Sequence, residues 1–433
     1  MSIRRSAVRP SGVRLVAALL LAVVLGAGLA ACRGFFGQAP IALLVIDAGG
    51  DGEVPASITF EIDGSNDPDG AIVGYELDFG DGSTVATGAD VTIPVLHNYT
   101  EAGTFTVLLT VTDNDGRIGM ANATVTIGPV MITFASDRVG NHDIYRMASD
   151  GTDVVSVYAT PNDELFPDLV QTKRDKIAYA AGDGTTWNIW TMTVAGGGRT
   201  QLTTQTGSNQ IQPDWSADGT TIAYASNESA QWEIHTMTSL GTGAQQITTQ
   251  SASWAIAPVF SPVNDDFLFV SDKNADGVSS IWLWDDSAGS ASELYDHDGS
   301  DGDASPALTT APLTALALPA GAGISRPTWS PDGTKIAFAR ERTAGGIIDI
   351  YVMDADGSDA ESLEDYVDGL GVLNTQITTG DDEFAPFWLE DNSGIMFAKE
   401  NAGSQQLYRV DFATGAISKL TETGNNISPA SKL

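Results

Sequence analysis

Residues 327–338 read Pro-Thr-Trp-Ser-Pro-Asp-Gly-Thr-Lys-Ile-Ala-Phe, and residues 213–224 read Pro-Asp-Trp-Ser-Ala-Asp-Gly-Thr-Thr-Ile-Ala-Tyr. Each stretch combines a short strand that ends at Trp-Ser, an Asp-Gly turn in which glycine supplies a positive φ, and a second strand. Weaker copies begin at three further prolines, and one more proline of the series stands near the C-terminus: Pro167, Pro258, Pro386 and Pro429. The pattern predicts a β unit that is repeated along most of the chain.

The spacing of these anchor prolines indicates the kind of repeat. They are separated by 46, 45, 69, 59 and 43 residues. A period near 45 residues is typical of a four-stranded propeller blade. Within a unit, a third strand follows the pattern Asp-Ile-Tyr-x-Met, as at residues 349–353, and a fourth strand ends in Leu-Thr or Ile-Thr. The two long spacings predict insertions near residues 287–325 and 363–373.

The two ends of the array complement each other. Residues 132–136 read as a second strand with no first strand before it, and residues 427–431 read as a first strand with no successor. We therefore expect the last strand to pair into the opening blade, which gives five complete units and one split unit. Such closure removes exposed strand edges. The repeats resemble the propeller of TolB and its relatives, which implies a six-bladed β-propeller over residues 129–433.

A smaller unit precedes the array, at residues 40–128. Strand-like runs alternate there with Asp- and Gly-rich turns, which predicts a seven-stranded sandwich. The segments at 63–70, 75–82, 97–99 and 111–116 resemble the PKD domain (polycystic kidney disease repeat). This resemblance implies an extracellular spacer or adhesion module. Leu77 stands where that family usually has Trp, and we expect the fold to tolerate it. The fold class is thus all-β: an immunoglobulin-like sandwich followed by a six-bladed propeller with a split closing blade.

The first 39 residues read as an export signal and an anchor. Four arginines precede an apolar run at residues 15–29, which is short for a membrane span and suits a signal peptide. The run ends in Leu29-Ala30-Ala31-Cys32, which resembles the lipobox of bacterial lipoproteins. We expect cleavage after residue 31, lipidation of Cys32 and a linker over residues 32–39. The alternative is a plain signal peptide with an incidental cysteine.

The position after the cysteine bears on the destination of the protein. Arg33 stands where an inner-membrane retention signal would have Asp, which favours the outer membrane. We therefore expect an exported, lipid-anchored protein that faces the periplasm or the cell surface. Its only link to the membrane would be the lipid.

Charge and motifs narrow the range of functions. The chain carries 21 basic and 56 acidic residues, a net charge of −35, which argues against a nucleic-acid partner. It has no Gly-x-Ser-x-Gly nucleophile elbow, and its four histidines lack metal-ligand spacing. We therefore expect no enzymatic activity. Proteins, peptides and neutral polymers such as polysaccharide or peptidoglycan remain as partners.

One short segment imitates a calcium loop. Asp272, Asn274 and Asp276 have the spacing with which such a loop begins, but Leu283 stands where the bidentate Glu would be. The same segment aligns with the hairpins of other blades. Calcium binding and an ordinary hairpin are both retained as interpretations, and no other cofactor is expected.

The expected working surface is the central funnel of the propeller. Residues three positions before each anchor proline should lie where loops enter the innermost strands: Glu164, Gln210, Ala255, Ile324, Glu383 and Asn426. Four of them, Glu164, Gln210, Glu383 and Asn426, are polar and would form a ring of acceptors for a peptide or basic ligand. The alternative is that they only satisfy the backbone of local turns.

These observations predict a non-catalytic scaffold of the cell envelope that binds a protein through the funnel. The PKD domain would serve as spacer or adhesion module. The alternatives are a polysaccharide- or peptidoglycan-binding module, and a propeller hydrolase or lyase.

Replacement of Cys32 by Ser tests the anchor. The wild-type chain should partition with membranes and incorporate a clickable palmitate analogue, because several acyl chains hold a protein on a bilayer stably. The Cys32→Ser chain should appear in the soluble fraction without label. Label and membrane partition that survive this substitution would contradict lipidation at Cys32.

Overall fold

The computed structural model describes residues 37–46, 51–53, 56–170, 175–183, 185–249, 253–272, 280–295, 326–341, 348–371, 382–389, 392–401 and 404–430. The predicted signal peptide and Cys32 lie outside these ranges. None of the helices within these ranges is long and apolar enough to cross a membrane.

The N-terminal unit is a β-sandwich of two sheets. One sheet has the order β1-β3-β6, with β1 (Val45–Ile46), β3 (Ala56–Glu61) and β6 (Val95–Tyr99). The other has the order β2-β8-β7-β4-β5, with β2 (Asp51–Glu53), β4 (Ile72–Asp78), β5 (Ala86–Gly88), β7 (Gly103–Asp113) and β8 (Ile118–Gly128).

The sandwich has eight strands where the sequence predicted seven. The difference lies at its start, where β1 pairs antiparallel with β3 of one sheet and β2 pairs parallel with β8 of the other. The opening segment therefore contributes a short strand to each sheet.

The core of the sandwich explains the residues that carried the PKD resemblance. Leu77, at the position where Trp was expected, is fully buried. His97 stacks on Phe79 with 3.8 Å between ring centroids, and its Nε2 lies 2.6 Å from Asp81 Oδ2. Burial raises the pKa of Asp81, but hydrogen bonds from Ser83 and His97 outweigh it and hold that pKa at about 2. The recognisable residues thus tie the turn after β4 to β6.

Six four-stranded sheets follow as the blades of the propeller. Blade 1 combines β9 (Met131–Ser136), β10 (Asp143–Ala148) and β11 (Val155–Tyr158) with the last strand, β32 (Asn426–Ala430). Blade 2 has β12 (Glu164–Leu169), β13 (Lys176–Gly182), β14 (Trp187–Thr193) and β15 (Thr200–Gln201). Blade 3 has β16 (Gln210–Trp215), β17 (Thr221–Ser226), β18 (Glu233–Thr238) and β19 (Gln245–Gln246).

The other three blades repeat this arrangement. Blade 4 has β20 (Ala255–Phe260), β21 (Phe267–Ser271), β22 (Ser280–Asp285) and β23 (Ser290–Tyr295). Blade 5 has β24 (Thr328–Trp329), β25 (Lys335–Glu341), β26 (Ile348–Asp354) and β27 (Glu361–Ser362), followed by helix α1 (Leu363–Gly369). Blade 6 has β28 (Glu383–Trp388), β29 (Gly394–Asn401), β30 (Ser404–Asp411) and β31 (Ile417–Lys419).

A β-bulge in the innermost strands explains the anchor prolines. In blades 2, 3, 4 and 6 the residue before the proline has a positive φ between 50° and 55°, and the ladder shifts its register there: Phe166, Gln212, Ala257 and Ala385. Proline has no N–H to donate, so it is tolerated in a strand at an edge or a bulge. The proline period in the sequence is therefore the period of the bulge.

The Leu-Thr or Ile-Thr signature closes the outer part of blades 2, 3 and 6. In blade 2, Thr203 Oγ1 accepts a hydrogen bond from the N–H of Ile189 at 2.8 Å and donates to Asn188 Oδ1 at 3.0 Å. Thr248 and Thr421 make equivalent bonds in blades 3 and 6. The threonine hydroxyl thus joins the end of the blade to the start of its third strand. The copy at residues 377–378 lies outside the described residues.

The ring closes through blade 1, as the two ends of the array predicted. Strand β32 pairs antiparallel with β9, and Asn426 lies opposite Ser136. Beside this pair, Asn425 Nδ2 donates to Asp137 Oδ2 at 2.8 Å and an Arg138 guanidinium nitrogen donates to Asn426 Oδ1 at 2.9 Å. Contacts between residues from opposite ends of the array therefore hold the ring together.

Substitution of Asn426 tests this closure. Its side chain is fully buried, and its amide donates to the carbonyl of Gln405 at 3.3 Å and to Gln406 Oε1 at 3.1 Å. Asn426→Ala should lower the free energy of unfolding by about 2 kcal/mol, because it leaves buried polar partners without their hydrogen bonds. Glu422→Ala, at a side chain that is 76% exposed, should change it by less than about 0.5 kcal/mol. Equal urea midpoints for both variants would contradict the closure scheme.

Candidate functional site

The innermost strands begin at one end of the ring, which we call the funnel mouth. Glu164, Gln210, Ala255, Glu383 and Asn426 are the first residues of β12, β16, β20, β28 and β32. Ile324 lies outside the described residues. The four polar side chains predicted to form a ring are each at most 1% exposed. They stand at the predicted strand positions but are buried in the ring, and their role in partner binding stays a prediction.

All four of these side chains have polar partners within the chain, and those of Gln210, Glu383 and Asn426 are described first. Gln210 Nε2 donates to Ser208 Oγ at 3.1 Å, and Lys399 Nζ donates to Glu383 Oε1 at 3.3 Å in a buried ion pair. Asn426 makes the contacts described for ring closure. Gln210 Oε1, however, accepts no hydrogen bond from any described residue.

Glu164 has a donor on only one of its two carboxyl oxygens. Its Oε1 accepts a hydrogen bond from Thr160 Oγ1 at 2.6 Å, whereas its Oε2 accepts none from any residue in the described ranges. Burial, together with the carboxylate of Asp143, raises the pKa of Glu164 to about 7 against the lowering effect of the Thr160 hydrogen bond. The neutral and the ionised forms of Glu164 therefore have similar populations at physiological pH.

Asp143 extends this feature into the neighbouring blade. It lies on β10 of blade 1, is 1% exposed, and burial raises its pKa as well. A side-chain hydrogen bond between Asp143 and Glu164 lowers the pKa of the first and raises that of the second. Asp143 therefore opposes the ionisation of Glu164. Ionisation of both of two adjacent buried carboxyl groups is costly unless a cation compensates them.

A cavity of about 360 Å³ opens beside Glu164, and we call it the blade 2 cavity. It crosses blade 2 from the first strand to the fourth, and the connection from blade 1 forms one side. Its polar and aromatic lining includes Thr160, Asn162, Glu164, Asn188, Trp190 and Arg199. Arg199 donates from Nε to the Tyr179 hydroxyl at 2.7 Å and also contacts the Tyr158 hydroxyl. The Arg199 guanidinium carbon lies 4.0 Å and 4.6 Å from the ring centroids of Tyr158 and Trp190.

A second polar cluster lies farther along the innermost strands, and the sequence analysis did not find it. Asp168 Oδ2 accepts from the N–H of Trp215, and Asp214 Oδ2 accepts from the N–H of Phe260, both at 2.8 Å. Each aspartate therefore fixes the inner strand of the next blade. Arg326 of blade 5 contacts the carboxylate of Asp214 and lies 4.0 Å from Asp168 Oδ1. The cluster ties blade 5 to blades 2 and 3 across the ring.

The sequence did contain a signal for this cluster. Asp168 and Asp214 directly follow anchor prolines, and Arg326 directly precedes one. Sequence periodicity gives their strand positions, but only the closed ring shows that side chains from non-adjacent blades meet.

Metal binding has no assembled site in the described part of the chain. No group of three or more His, Cys, Asp or Glu residues there could hold a metal ion. Asp272 is half-buried, and its carbonyl accepts a hydrogen bond from the Ser253 hydroxyl. Asn274 and Asp276 lie outside the described residues, so the calcium interpretation of this loop stays a prediction.

Comparison with known proteins supports both halves of the fold. Residues 39–127 match the PKD domain family. A microbial collagenase from Vibrio alginolyticus is 45% identical over 83 residues, which are 19% of this chain and 10% of the collagenase. The chain thus spans about a tenth of that relative, and the likeness is one of a shared module.

The propeller resembles solved structures at low sequence identity. TolB from Acinetobacter baumannii superposes with a TM-score of 0.53 and 17% identity, over 76% of this chain and 80% of that chain. A chain of a nidogen/laminin complex gives a TM-score of 0.50 and 10% identity, over 70% of this chain and 97% of that chain. These likenesses confirm the TolB-like propeller fold predicted from the repeats.

The raised pKa of Glu164 makes a prediction about stability. The folded state keeps a proton up to about pH 7, whereas the unfolded state releases it near the ordinary value of 4.5. The stability that this group contributes is therefore fully present below pH 4.5 and is lost as the pH rises through 7. Glu164→Gln removes this dependence. Its free energy of unfolding relative to wild type should rise by up to about 3 kcal/mol between pH 4 and pH 8.

Urea unfolding of both proteins at several pH values measures this difference. Glu422→Gln, which removes an exposed carboxyl, should follow the wild-type curve within about 0.5 kcal/mol. A Glu164→Gln difference that does not vary between pH 4 and pH 8 would show that Glu164 has an ordinary pKa.

Proposed function

We propose that this protein is an exported, lipid-anchored envelope protein that binds another protein at the funnel mouth, without catalysing a reaction. The PKD domain would hold the propeller away from the membrane or attach it to a further partner. Export and anchoring are supported by the arginines, the apolar run and Cys32 of the first 32 residues. The absence of a nucleophile elbow from the sequence supports binding without catalysis.

The observation that carries the proposal is the pair of buried acceptors at the funnel mouth. Glu164 Oε2 and Gln210 Oε1 begin neighbouring innermost strands, and neither accepts a hydrogen bond from the described residues. A buried acceptor without a donor costs free energy, so a ligand that offers N–H groups gains by binding there. The net charge of −35 favours the approach of a basic partner.

The fold supplies the supporting argument. A propeller places the loops of every blade around one opening, where a few side chains from several strands can contact one partner. This is an analogy at the level of fold, and the specific polar groups above give it chemical content.

Site-specific photocrosslinking in cells tests the proposal. A photoreactive amino acid at position 206 lies on the exposed connection that enters β16 at the funnel mouth. A matched probe at position 242 replaces a second exposed threonine of blade 3, on the loop between β18 and β19 at the opposite end of the ring. We expect a discrete protein adduct from the full-length chain at position 206 and none at position 242.

Two results would contradict the proposal. Equal adducts at both positions would show contact that does not depend on the funnel mouth. No adduct at either position, with both chains present in the membrane fraction, would exclude a partner at this end.

A further inference from the structure

We propose that the blade 2 cavity binds the side chain of a lysine from the partner protein, with its ammonium group on Glu164. This inference rests on the proposed function and names the chemical group that the funnel mouth recognises.

The floor of the cavity is an acceptor that lacks a donor. Glu164 is 1% exposed and lines the cavity, and its Oε2 accepts no hydrogen bond within the described chain. Behind it stands Asp143, a second buried carboxyl in hydrogen-bond contact with Glu164. Below the pKa of Glu164, which is about 7, a proton on Glu164 removes one negative charge from this pair. An ammonium group would supply the same positive charge together with three N–H donors, and would replace that proton.

The walls suit an unbranched alkyl chain that ends in a polar group. Ala181 and Gly182 of β13 and Trp190 of β14 line the cavity together with Glu164, and Ala181 lies opposite Glu164 in the sheet. Lysine buries its methylene groups along apolar surface of this kind. The side-chain amides of Asn162 and Asn188 lie around the same space and can accept from an ammonium or from the peptide that carries it. The volume of about 360 Å³ falls within the range of about 300–1,000 Å³ that ligand pockets occupy.

The cavity already contains a cation, but the chain restrains it. Arg199 donates to the hydroxyls of Tyr179 and Tyr158 and stacks against aromatic rings, which fixes its guanidinium group. Its charge lowers the pKa of Glu164 less than burial and Asp143 raise it. Arg199 therefore does not neutralise the floor.

The remaining charged groups near Glu164 are mostly acidic. Asp183, exposed at the β13–β14 hairpin, lines the cavity, and hydrogen bonds from Thr185 lower its pKa, so it is ionised at neutral pH. Asp163 precedes Glu164, and its contact with His142 lowers its pKa in turn. With Asp143 behind the floor, the field in the cavity favours a cationic ligand.

Binding of a capped lysine to the full-length, detergent-solubilised chain tests the inference. The probe is N-acetyl-lysine methylamide, and N-acetyl-norleucine methylamide serves as its uncharged counterpart. At pH 8 we expect the lysine probe to bind at least tenfold more tightly by calorimetry. Its affinity should fall about tenfold from pH 8 to pH 6, because the ionised fraction of Glu164 falls by that factor.

Two variants, each of which replaces one carboxyl by an amide, complete the binding experiment. Glu164→Gln should weaken lysine binding at least tenfold, whereas Glu422→Gln, at an exposed carboxyl of the blade 6 to blade 1 connection, should leave it unchanged. Equal affinity for the two probes, an affinity that does not change between pH 6 and pH 8, or full binding by Glu164→Gln would each overturn the inference.

The outcomes separate this inference from the proposed function. Crosslinking at position 206 without lysine binding would retain a partner at the funnel mouth and reject the lysine cavity. Lysine binding without any crosslinked partner would retain the cavity and reject the proposed function.

Discussion

One constraint governs the structure: the innermost strands of four blades begin with polar side chains, and the ring buries these side chains. Such groups must find partners inside the ring, because water does not compensate them there. Glu383 has Lys399, and Asn426 has several carbonyls and Arg138. Glu164 has a donor on one oxygen only, and burial and the Asp143 carboxylate raise its pKa to about 7. Of the ring residues, Glu164 lines the blade 2 cavity.

Blade 1 connects ring closure with this site. Its strands come from both ends of the array, and contacts between Asp137 and Asn425 hold them together. The same blade supplies Asp143, which raises the pKa of Glu164, and the connection that carries Thr160 and Asn162. A closed ring thus fixes the position of the carboxyl pair.

Much of the fold was accessible from sequence because repetition makes local patterns visible. The anchor prolines predicted six blades and the strand starts, and the unmatched end strands predicted the closure that β9 and β32 make. The burial of Glu164 and its pairing with Asp143 were not predictable, since they depend on contact between different blades. The same holds for Arg326, whose partners Asp168 and Asp214 lie more than 100 positions away in sequence. In the sandwich, the eighth strand was missed because three residues give too short a pattern.

The carboxyl pair and the blade 2 cavity assigned to a lysine both depend on the charge state of Glu164. Carboxyl ¹³C chemical shifts of the protein labelled at glutamate, assigned with Glu164→Gln, give the midpoint of its titration without reference to stability or to any partner. We predict a midpoint near pH 7, well above the ordinary value of 4.5, because burial and Asp143 both oppose ionisation. A midpoint near 4.5 would show that the carboxyl is ionised without compensation, and would contradict both the carboxyl pair and the cavity assigned to it.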